Sequence, residues 1–177
     1  MIKKPVYLIG YRATGKTTVG KKVAHELGIP FVDLDEYIKR EAGREIAEIV
    51  SEKGWKAFRE LEKHALTTLA AKQEPVVVSC GGGAVLHKDI WPEIKKGAVV
   101  VWLKARQETI LARMAQDGLS QTQRPRLTDN SSTMKEEIEQ TLQERYPLYE
   151  YCADVAIETD SLSPEKVARK IIEEVTS

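Results

Sequence analysis

Residues 10–17 read Gly-Tyr-Arg-Ala-Thr-Gly-Lys-Thr, a complete G-x-x-x-x-G-K-[ST] pattern. Glycines permit the tight backbone turns that aim N–H groups at a polyphosphate. The pattern assigns Lys16 to the β- and γ-phosphates and the Thr17 hydroxyl to Mg²⁺. An apolar run precedes the loop and an amphipathic stretch follows it, so the positive end of a helix would point at the phosphates. The sequence therefore predicts a nucleotide-binding P-loop.

Two aspartates mark the end of the second predicted strand, in the stretch Phe-Val-Asp-Leu-Asp at 31–35. Ligands of open α/β sheets bind beyond the carboxyl ends of the strands, and strand alternation places Asp33 and Asp35 on one side. One carboxylate can hold the water shell of a metal ion, and the other can orient or deprotonate an attacking hydroxyl. A simpler interpretation stays open, in which Asp35 only caps the helix that follows.

The third predicted strand ends at Ser79, where a second nucleotide motif would usually place an aspartate, and Gly81-Gly82-Gly83 follow closely. Three successive glycines expose backbone N–H groups that a small ligand can approach. A tight turn needs only one or two glycines, so a purely structural turn is the alternative.

The arginines and histidines are less specific signals. Arg59 and Arg145 lie in helical stretches, where an arginine is most often solvent-exposed. Arg59 and Glu62, at spacing i,i+3, fit a surface ion pair equally well. The histidines have no metal-ligand spacing and are interpreted as surface or helix-face residues; they are His25, His64 and His87.

These residues must be positioned by the elements around them, and short apolar runs alternate with longer amphipathic stretches. The runs predict strands at Val6–Ile9, Phe31–Asp33, Val76–Ser79, Val99–Leu103 and Val155–Ile157. The stretches predict helices at Lys16–Leu27, Asp35–Lys53, Trp55–Ala71, Gln107–Gln116, Met134–Tyr146 and Pro164–Val175. Four of the five strands are apolar at successive residues, as in strands covered on both faces. The alternation predicts a three-layer α/β fold with a central five-stranded parallel sheet.

One segment, Asp117–Ser132, is polar, contains glycine and proline, and shows no periodicity. Loops of this length in compact domains are functional lids or disordered segments. A plain surface insertion is the alternative, but Arg124 and Arg126 favour a lid that closes on an anion.

The composition limits the class of protein. The chain has 177 residues, which predicts one domain over 1–177, and its 27 basic and 27 acidic residues cancel. That balance argues against a general nucleic-acid or membrane-surface binder, and the longest apolar run, Ala98–Leu103, is far short of the ~20 residues of a membrane span. Cys80 and Cys152 fit buried packing residues of a reducing compartment, with Cys80 the one whose thiol could react. We expect a cytoplasmic monomer without a signal peptide.

Taken together, six motifs run in the same order as in the shikimate kinase family, which the chain resembles over essentially its full length. The motifs are the P-loop, Asp33-Leu34-Asp35, Phe58-Arg59-x-x-Glu62, Gly81-Gly82-Gly83-Ala84, Arg124-Pro125 and Arg145-Tyr146-Pro147-Leu148-Tyr149. The resemblance implies transfer of the γ-phosphate of ATP to the 3-hydroxyl of shikimate, in aromatic amino acid biosynthesis. It also implies a P-loop kinase fold with a helical shikimate-binding subdomain at 34–61 and a mobile lid at 113–130.

The resemblance also implies a role for each matching residue. ATP would be bound by Ala13, Thr14, Gly15, Lys16, Thr17, Thr18, Arg113, Arg124 and Ser161. One Mg²⁺ per subunit would be held by Thr17 and, through water, by Asp33 and Ser79. Shikimate would be bound by Asp35, Arg59, Gly81, Gly82, Gly83 and Arg145, with the carboxylate on the two arginines. The catalytic set would be Lys16, Asp33, Asp35 and Arg124.

Two features depart from the family pattern. The P-loop has Ala13 where many members have another glycine, with bulky Tyr11 and Arg12 before it, and we expect altered nucleotide affinity with activity retained. Arg126 stands beside Arg124 where members often have an apolar residue.

Two alternatives remain at this point, a related small-metabolite kinase such as a gluconate kinase and a non-catalytic nucleotide-sensing module. A guanine-specific switch of the common kind is excluded, because the only asparagine, Asn130, is followed by two serines and cannot form Asn-Lys-x-Asp.

Overall fold

The structure, a computed structural model, describes residues 2, 4–116 and 133–177. Its strands are β1 (Val6–Ile9), β2 (Phe31–Asp33), β3 (Val77–Ser79), β4 (Val99–Lys104) and β5 (Val155–Glu158). Its helices are α1 (Lys16–Leu27), α2 (Leu34–Ala42), α3 (Ile46–Lys72), α4 (Trp91–Gly97), α5 (Gln107–Gln116), α6 (Met134–Cys152) and α7 (Pro164–Thr176). A single 3₁₀ turn, Ala84–Leu86, follows β3.

The five strands form one parallel sheet in the order β2-β3-β1-β4-β5. One face packs on α1 and α7 through Val19, Val23 and Ile171. The other face packs on α3, α4 and α6 through Leu66, Trp91 and Tyr149. The predicted three-layer α/β fold with a five-stranded parallel sheet is therefore confirmed. Because β1 runs parallel to its neighbours β3 and β4, the loops after these three strands leave the sheet at the same carboxyl edge.

Helix ends explain where the predicted boundaries were wrong. The stretch predicted as one helix at Asp35–Lys53 is divided, because Gly43 adopts a left-handed conformation (φ 64°) and ends α2. A new helix then begins, and the Glu45 N–H donates to Glu48 Oε2 at 3.3 Å. The break expected before Trp55 is present as a kink inside α3, where Gly54 has φ 77° and ψ 170°.

Two further helices differ from the sequence prediction. Helix α4 was not predicted; Pro92 lies in its first turn, and the Trp91 indole N–H donates to the Ala84 carbonyl at 3.0 Å. Helix α6 continues through Pro147 to Cys152 and does not end at Tyr146. Among the helices in the described ranges, none combines the length and apolar character that crossing a bilayer requires.

Candidate active site

The P-loop joins β1 to α1 in a conformation that its residue types dictate. Gly10 has φ 147°, and a Cβ there would lie 2.5 Å from the Leu103 carbonyl oxygen, so only glycine fits. Gly15 has φ 93° and precedes the first turn of α1. The Lys16 ammonium is buried within the loop and donates to the carbonyls of Gly10 at 2.9 Å and Tyr11 at 2.7 Å. The helix N-terminus and the lysine together make an anion-binding concavity.

Three oxygen-bearing side chains meet beside the P-loop. The Thr17 hydroxyl donates to Asp33 Oδ2 at 2.8 Å and lies 3.3 Å from the Ser79 hydroxyl oxygen. They come from α1 and from the ends of the neighbouring strands β2 and β3, whose pairing sets Asp33 opposite Ser79. A carboxylate and two hydroxyls form the oxygen-only donor set that Mg²⁺ prefers. The residues thus fit a magnesium ion held with water.

Asp33, and not Asp35, caps helix α2. Asp33 Oδ1 accepts the backbone N–H groups of Asp35 at 3.1 Å and Glu36 at 3.3 Å. The capping interpretation of Asp35 is therefore wrong. The expectation that strand alternation sets Asp35 on the same side as Asp33 does not hold either. Helix α2 begins at Leu34, so Asp35 belongs to the first turn of a helix and not to a strand. From that turn Asp35 lines a cavity whose walls do not include Asp33.

Arg113, on α5, connects the P-loop to the residues that follow β5. Its Nη1 donates to the Ala13 carbonyl at 3.3 Å and to Thr159 Oγ1 at 3.1 Å, and its Nη2 donates to the Thr159 carbonyl at 2.8 Å. Ser161 is exposed two residues beyond Thr159, in the loop between β5 and α7. The structure thus places Arg113 and the Ser161 loop at the same end of the sheet as the P-loop.

A cavity of about 280 Å³ opens next to the P-loop. Its walls come from the P-loop, the first turn of α2, α3, α6 and the glycine loop after β3. Four acidic and four basic side chains line it; they are Asp35, Glu36, Glu45, Glu62, Arg12, Lys39, Arg59 and Arg145. A cavity of this size and charge balance suits a small polar metabolite better than an apolar one.

The glycines of the triplet lie against charged side chains of the cavity, and two of them make room for these side chains. A Cβ at Gly81 would lie 3.1 Å from Asp35 Oδ1, and one at Gly82 would lie 3.5 Å from Arg145 Nη1. A Cβ at Gly83 would overlap the guanidinium carbon and both terminal nitrogens of Arg59. The triplet is therefore more than a tight turn, because Gly81 and Gly83 let charged side chains approach the backbone more closely than a Cβ would allow.

Arg145 and Arg59 are both held in place at this cavity. Arg145 is buried on α6, and one turn later Tyr149 donates its hydroxyl to the Gly82 carbonyl at 2.8 Å. Burial raises the pKa of the Tyr149 phenol above its usual value, so the hydroxyl stays a donor. The Arg59 guanidinium lies 5.2 Å from the ring centres of both Trp55 and Phe58. Its Nη1 donates to Glu62 Oε1 at 2.6 Å.

Three interpretations from the sequence change at this point. Glu62 is 0% exposed, so its pair with Arg59 is a buried ion pair and not a surface one. The His87 side chain is only 10% exposed and lies 3.0 Å from Glu62 Oε1, so it is not a surface residue. Burial, with a smaller contribution from the Glu62 carboxylate, raises the pKa of the Cys80 thiol, which disfavours the nucleophilic thiolate. Both cysteines are buried and free, as expected of packing residues.

Reasoning from sequence placed Asp35, Arg59, the glycine triplet and Arg145 in one site, and the structure brings them together. The sequence reasoning did not identify Arg12, Lys39 or Trp55 as lining residues of this cavity. It also did not identify His87 as a partner of Glu62. The position of Arg12 inside the P-loop was the available signal for that residue. Arg124 and Arg126 lie outside the described residues, as does most of the segment 113–130.

The site combines a P-loop at the edge of a parallel sheet with an oxygen-donor site and a charged cavity beside it. This combination defines a P-loop kinase. The family model described as shikimate kinase matches residues 12–176. A shikimate kinase from Thermodesulfovibrio yellowstonii is 42% identical over 171 residues, covering 97% of this chain and 94% of the relative. The chain belongs to the shikimate kinase family.

Solved structures agree with this assignment. A shikimate kinase from Acinetobacter baumannii in complex with shikimate superposes with a TM-score of 0.86 at 31% identity, covering 98% of this chain and 93% of that one. A gluconokinase from Sinorhizobium meliloti superposes with a TM-score of 0.58 at 17% identity, covering 99% and 93%, which shows a shared fold alone. The gluconate kinase and nucleotide-sensing alternatives are not favoured.

Proposed function

We propose that the chain transfers the γ-phosphate of ATP to the 3-hydroxyl of shikimate, giving shikimate 3-phosphate and ADP. The observation that carries this proposal is the cavity in which Asp35, Arg59 and Arg145 converge next to the P-loop. Shikimate has a ring with three hydroxyls and one carboxylate, so it needs both cations and a hydrogen-bond acceptor. That need matches the side chains of the cavity.

The acceptor carboxylate is assigned to Arg59 and Arg145. Planar guanidinium groups bind a carboxylate with paired hydrogen bonds, which an ammonium group cannot reproduce. Asp35 accepts hydrogen bonds from ring hydroxyls and is placed to orient, or take the proton from, the attacking one. Backbone groups of Gly81, Gly82 and Gly83 complete the acceptor site. These roles correspond to the subdomain proposed at 34–61, to which the glycine loop and α6 are added.

The nucleotide is assigned to the P-loop half. Backbone N–H groups of Ala13, Thr14 and Gly15, with Thr18 at the start of α1, surround the phosphates, and Lys16 neutralises them. Arg113 and Ser161 lie on the adenine side. Thr17, with Asp33 and Ser79 acting through water, holds one Mg²⁺, which when bound neutralises charge on the β- and γ-phosphates. Phosphoryl transfer asks little covalent chemistry of the protein, so positioning and charge dominate.

A lid at 113–130 is part of the proposal. Its first residue, Arg113, bonds to the P-loop carbonyl of Ala13, so a movement beginning there would be coupled to the nucleotide. Arg124 would add positive charge to the transferring phosphate only when the lid is closed, and closure would exclude water that hydrolyses ATP.

We also propose that the chain acts as a monomer in the cytoplasm. The large apolar side chains exposed in the described ranges, Leu61, Leu86 and Tyr151, lie on separate elements, and both cysteines are free and buried. Free cysteines fit a reducing compartment. Light scattering on the purified chain should give a mass near 19.9 kDa, and a mass near twice that value would contradict the monomer.

The experiment that tests the function is a coupled ADP-release assay with Mg·ATP and either shikimate, gluconate or no acceptor. We expect turnover with shikimate alone, and phosphorus NMR of the product should place the ester at the 3-hydroxyl. Comparable turnover with gluconate, or ATP hydrolysis that ignores the acceptor, would leave the P-loop assignment standing and remove the acceptor assignment.

A further inference from the structure

Glu62 is a fully buried carboxylate in the wall of the acceptor cavity. Its Oε1 accepts two hydrogen bonds, from Arg59 Nη1 at 2.6 Å and from His87 Nε2 at 3.0 Å. A carboxylate oxygen only accepts, so Nε2 is the protonated ring nitrogen of His87. Glu62 Oε2 has no hydrogen-bond partner in the part of the chain that the structure describes, and it faces Gly81. Both donors therefore converge on one oxygen.

His87 reaches Glu62 because of the loop that also forms the cavity. The 3₁₀ turn Ala84–Leu86 follows Gly83 directly, and the His87 N–H closes it by donating to the Ala84 carbonyl at 3.3 Å. The imidazole is 10% exposed, and its Nε2 lies 3.0 Å from Glu62 Oε1. One short segment thus supplies both Gly83, which lies against the Arg59 guanidinium, and His87, which bonds to Glu62.

Two donors on one oxygen have a consequence for Arg59. The terminal torsion of a glutamate is soft, so a carboxylate held by Arg59 alone could rotate and take a paired hydrogen bond from that guanidinium. A second guanidinium nitrogen would then be directed at Glu62 and away from the cavity. The hydrogen bond from His87 holds Oε1 in place and opposes this rotation.

We propose that His87 is a positioning residue for the acceptor site. By holding Glu62 Oε1, it limits Arg59 to one hydrogen bond within the protein and leaves the remaining guanidinium donors for the carboxylate of the acceptor. This inference rests on the proposed function, because it assumes that Arg59 binds that carboxylate. It assigns to His87 a role in the affinity for one substrate, with no role in the transfer step.

The test uses the full-length enzyme with Mg·ATP and four variants. His87→Leu removes the donor, and His87→Gln keeps an N–H donor near the position of Nε2. His64→Leu is the matched control, because His64 is an exposed histidine on α3 two residues from Glu62. Arg59→Lys tests the assumption about Arg59. The readouts are KM for shikimate, KM for ATP, kcat and the midpoint of thermal unfolding.

We expect His87→Leu to raise KM for shikimate about tenfold, the effect of losing one hydrogen bond to a charged group. KM for ATP and kcat at saturating shikimate should not change, and His87→Gln should restore KM. With methyl shikimate, which has no anionic carboxylate, the variant and the parent enzyme should have the same KM. His64→Leu should behave as the parent enzyme.

Three results would overturn the role of His87: an unchanged KM for shikimate in a folded His87→Leu, a rise that His87→Gln does not reverse, or equal losses for shikimate and its methyl ester. If His87→Leu does not fold, His87→Asn replaces it, because the shorter amide cannot reach Oε1 and should raise KM where His87→Gln does not. An Arg59→Lys variant with normal KM for shikimate would instead remove Arg59 from the acceptor site. A rise for Arg59→Lys without one for His87→Leu refutes the His87 inference alone.

Discussion

The two halves of the site are built in different ways. The nucleotide half is centred on one continuous stretch, Gly10–Thr17. In the proposed function it binds mainly through backbone N–H groups and hydroxyls. The acceptor half is assembled from separated places in the chain, namely Asp35, Arg59, Gly81–Gly83 and Arg145. In the proposed function it binds mainly through charged side chains, with the backbone groups of the glycines beside them. The shape of the P-loop depends on local backbone conformation. The arrangement of the charged side chains depends on how α2, α3 and α6 pack on the sheet.

This difference predicts how each half responds to substitution. A change in the nucleotide half should act through loop conformation or through the metal, and it should leave the affinity for shikimate alone. A change in the acceptor half should alter shikimate affinity or the transfer step while ATP binding persists. The comparison fails wherever one substitution damages both substrates equally.

The largest effect is expected for Asp35→Asn, which keeps the shape of the side chain and removes its charge. If Asp35 orients or deprotonates the attacking hydroxyl, kcat should fall by about 100-fold or more. ATP affinity, measured by calorimetry, should not change, because Asp35 faces the acceptor cavity. Equal losses in ATP binding and turnover would place Asp35 with the nucleotide and abolish the division between the halves.

A somewhat smaller effect is expected for Gly83→Ala. Gly83 has an ordinary φ of −95°, so the strain would come only from overlap with the Arg59 guanidinium. Displacing this cation should raise KM for shikimate by about 10- to 100-fold, the range for losing charge-assisted hydrogen bonds. ATP affinity should be retained.

Gly97→Ala is the matched control for Gly83→Ala. At Gly97 the nearest atom to a new Cβ is Gln73 Nε2 at 3.9 Å, an ordinary contact. Gly97 lies at the end of α4, away from the residues of the acceptor cavity, so its variant should have the parent KM. Similar kinetic losses in both variants would mean that the glycine loop matters only for stability.

Much of the fold could be predicted because it depends on local patterns. The predicted bounds of β1 and β2 match the structure, and those of the other strands differ by one residue at one end. The buried strands β1, β3 and β4 read as almost unbroken apolar runs, and the helical patterns between them fix their places in the chain. The P-loop was predictable for the same reason, since all its residues lie within eight positions.

Other features could not be predicted, because tertiary packing decides them. Helix α6 continues past Pro147 since the next turn buries Tyr149, whose ring stacks on Trp102 with 5.5 Å between centres. Glu62 and its partner had the spacing of a surface pair, and only the packing of α3 against the glycine loop buries it. The position of His87 depends on the 3₁₀ turn after the glycines, for which the sequence has no periodic signal.

A smaller effect is expected for Ser79→Ala, which tests the metal site of the nucleotide half. The variant loses one neutral hydroxyl 3.3 Å from Thr17 Oγ1. One hydrogen bond of about 1 kcal/mol corresponds to an approximately fivefold higher Mg²⁺ concentration at half-maximal activity. KM for shikimate should stay at its parent value, although β3 continues directly into the glycine loop. A change in shikimate affinity without a change in Mg²⁺ dependence would mean that Ser79 belongs to the acceptor half and not to the nucleotide half.

The smallest effect is expected for Ala13→Gly, and its sign is the informative part. Ala13 has φ 60°, a left-handed conformation that costs an L-residue about 1–2 kcal/mol. Glycine removes this cost but adds about 0.4–1 kcal/mol of chain entropy in the unfolded state, which leaves a net gain of about 0.5–1 kcal/mol. Tm should therefore rise by about 1–4 °C, with activity retained and ATP affinity altered. By contrast, Ala112→Gly in the exposed middle of α5 should lower stability by about 1 kcal/mol. If both glycine variants lowered Tm, the backbone of Ala13 would not be strained. The residue type at position 13 of the P-loop would then matter less for the nucleotide half than Gly83 matters for the acceptor half.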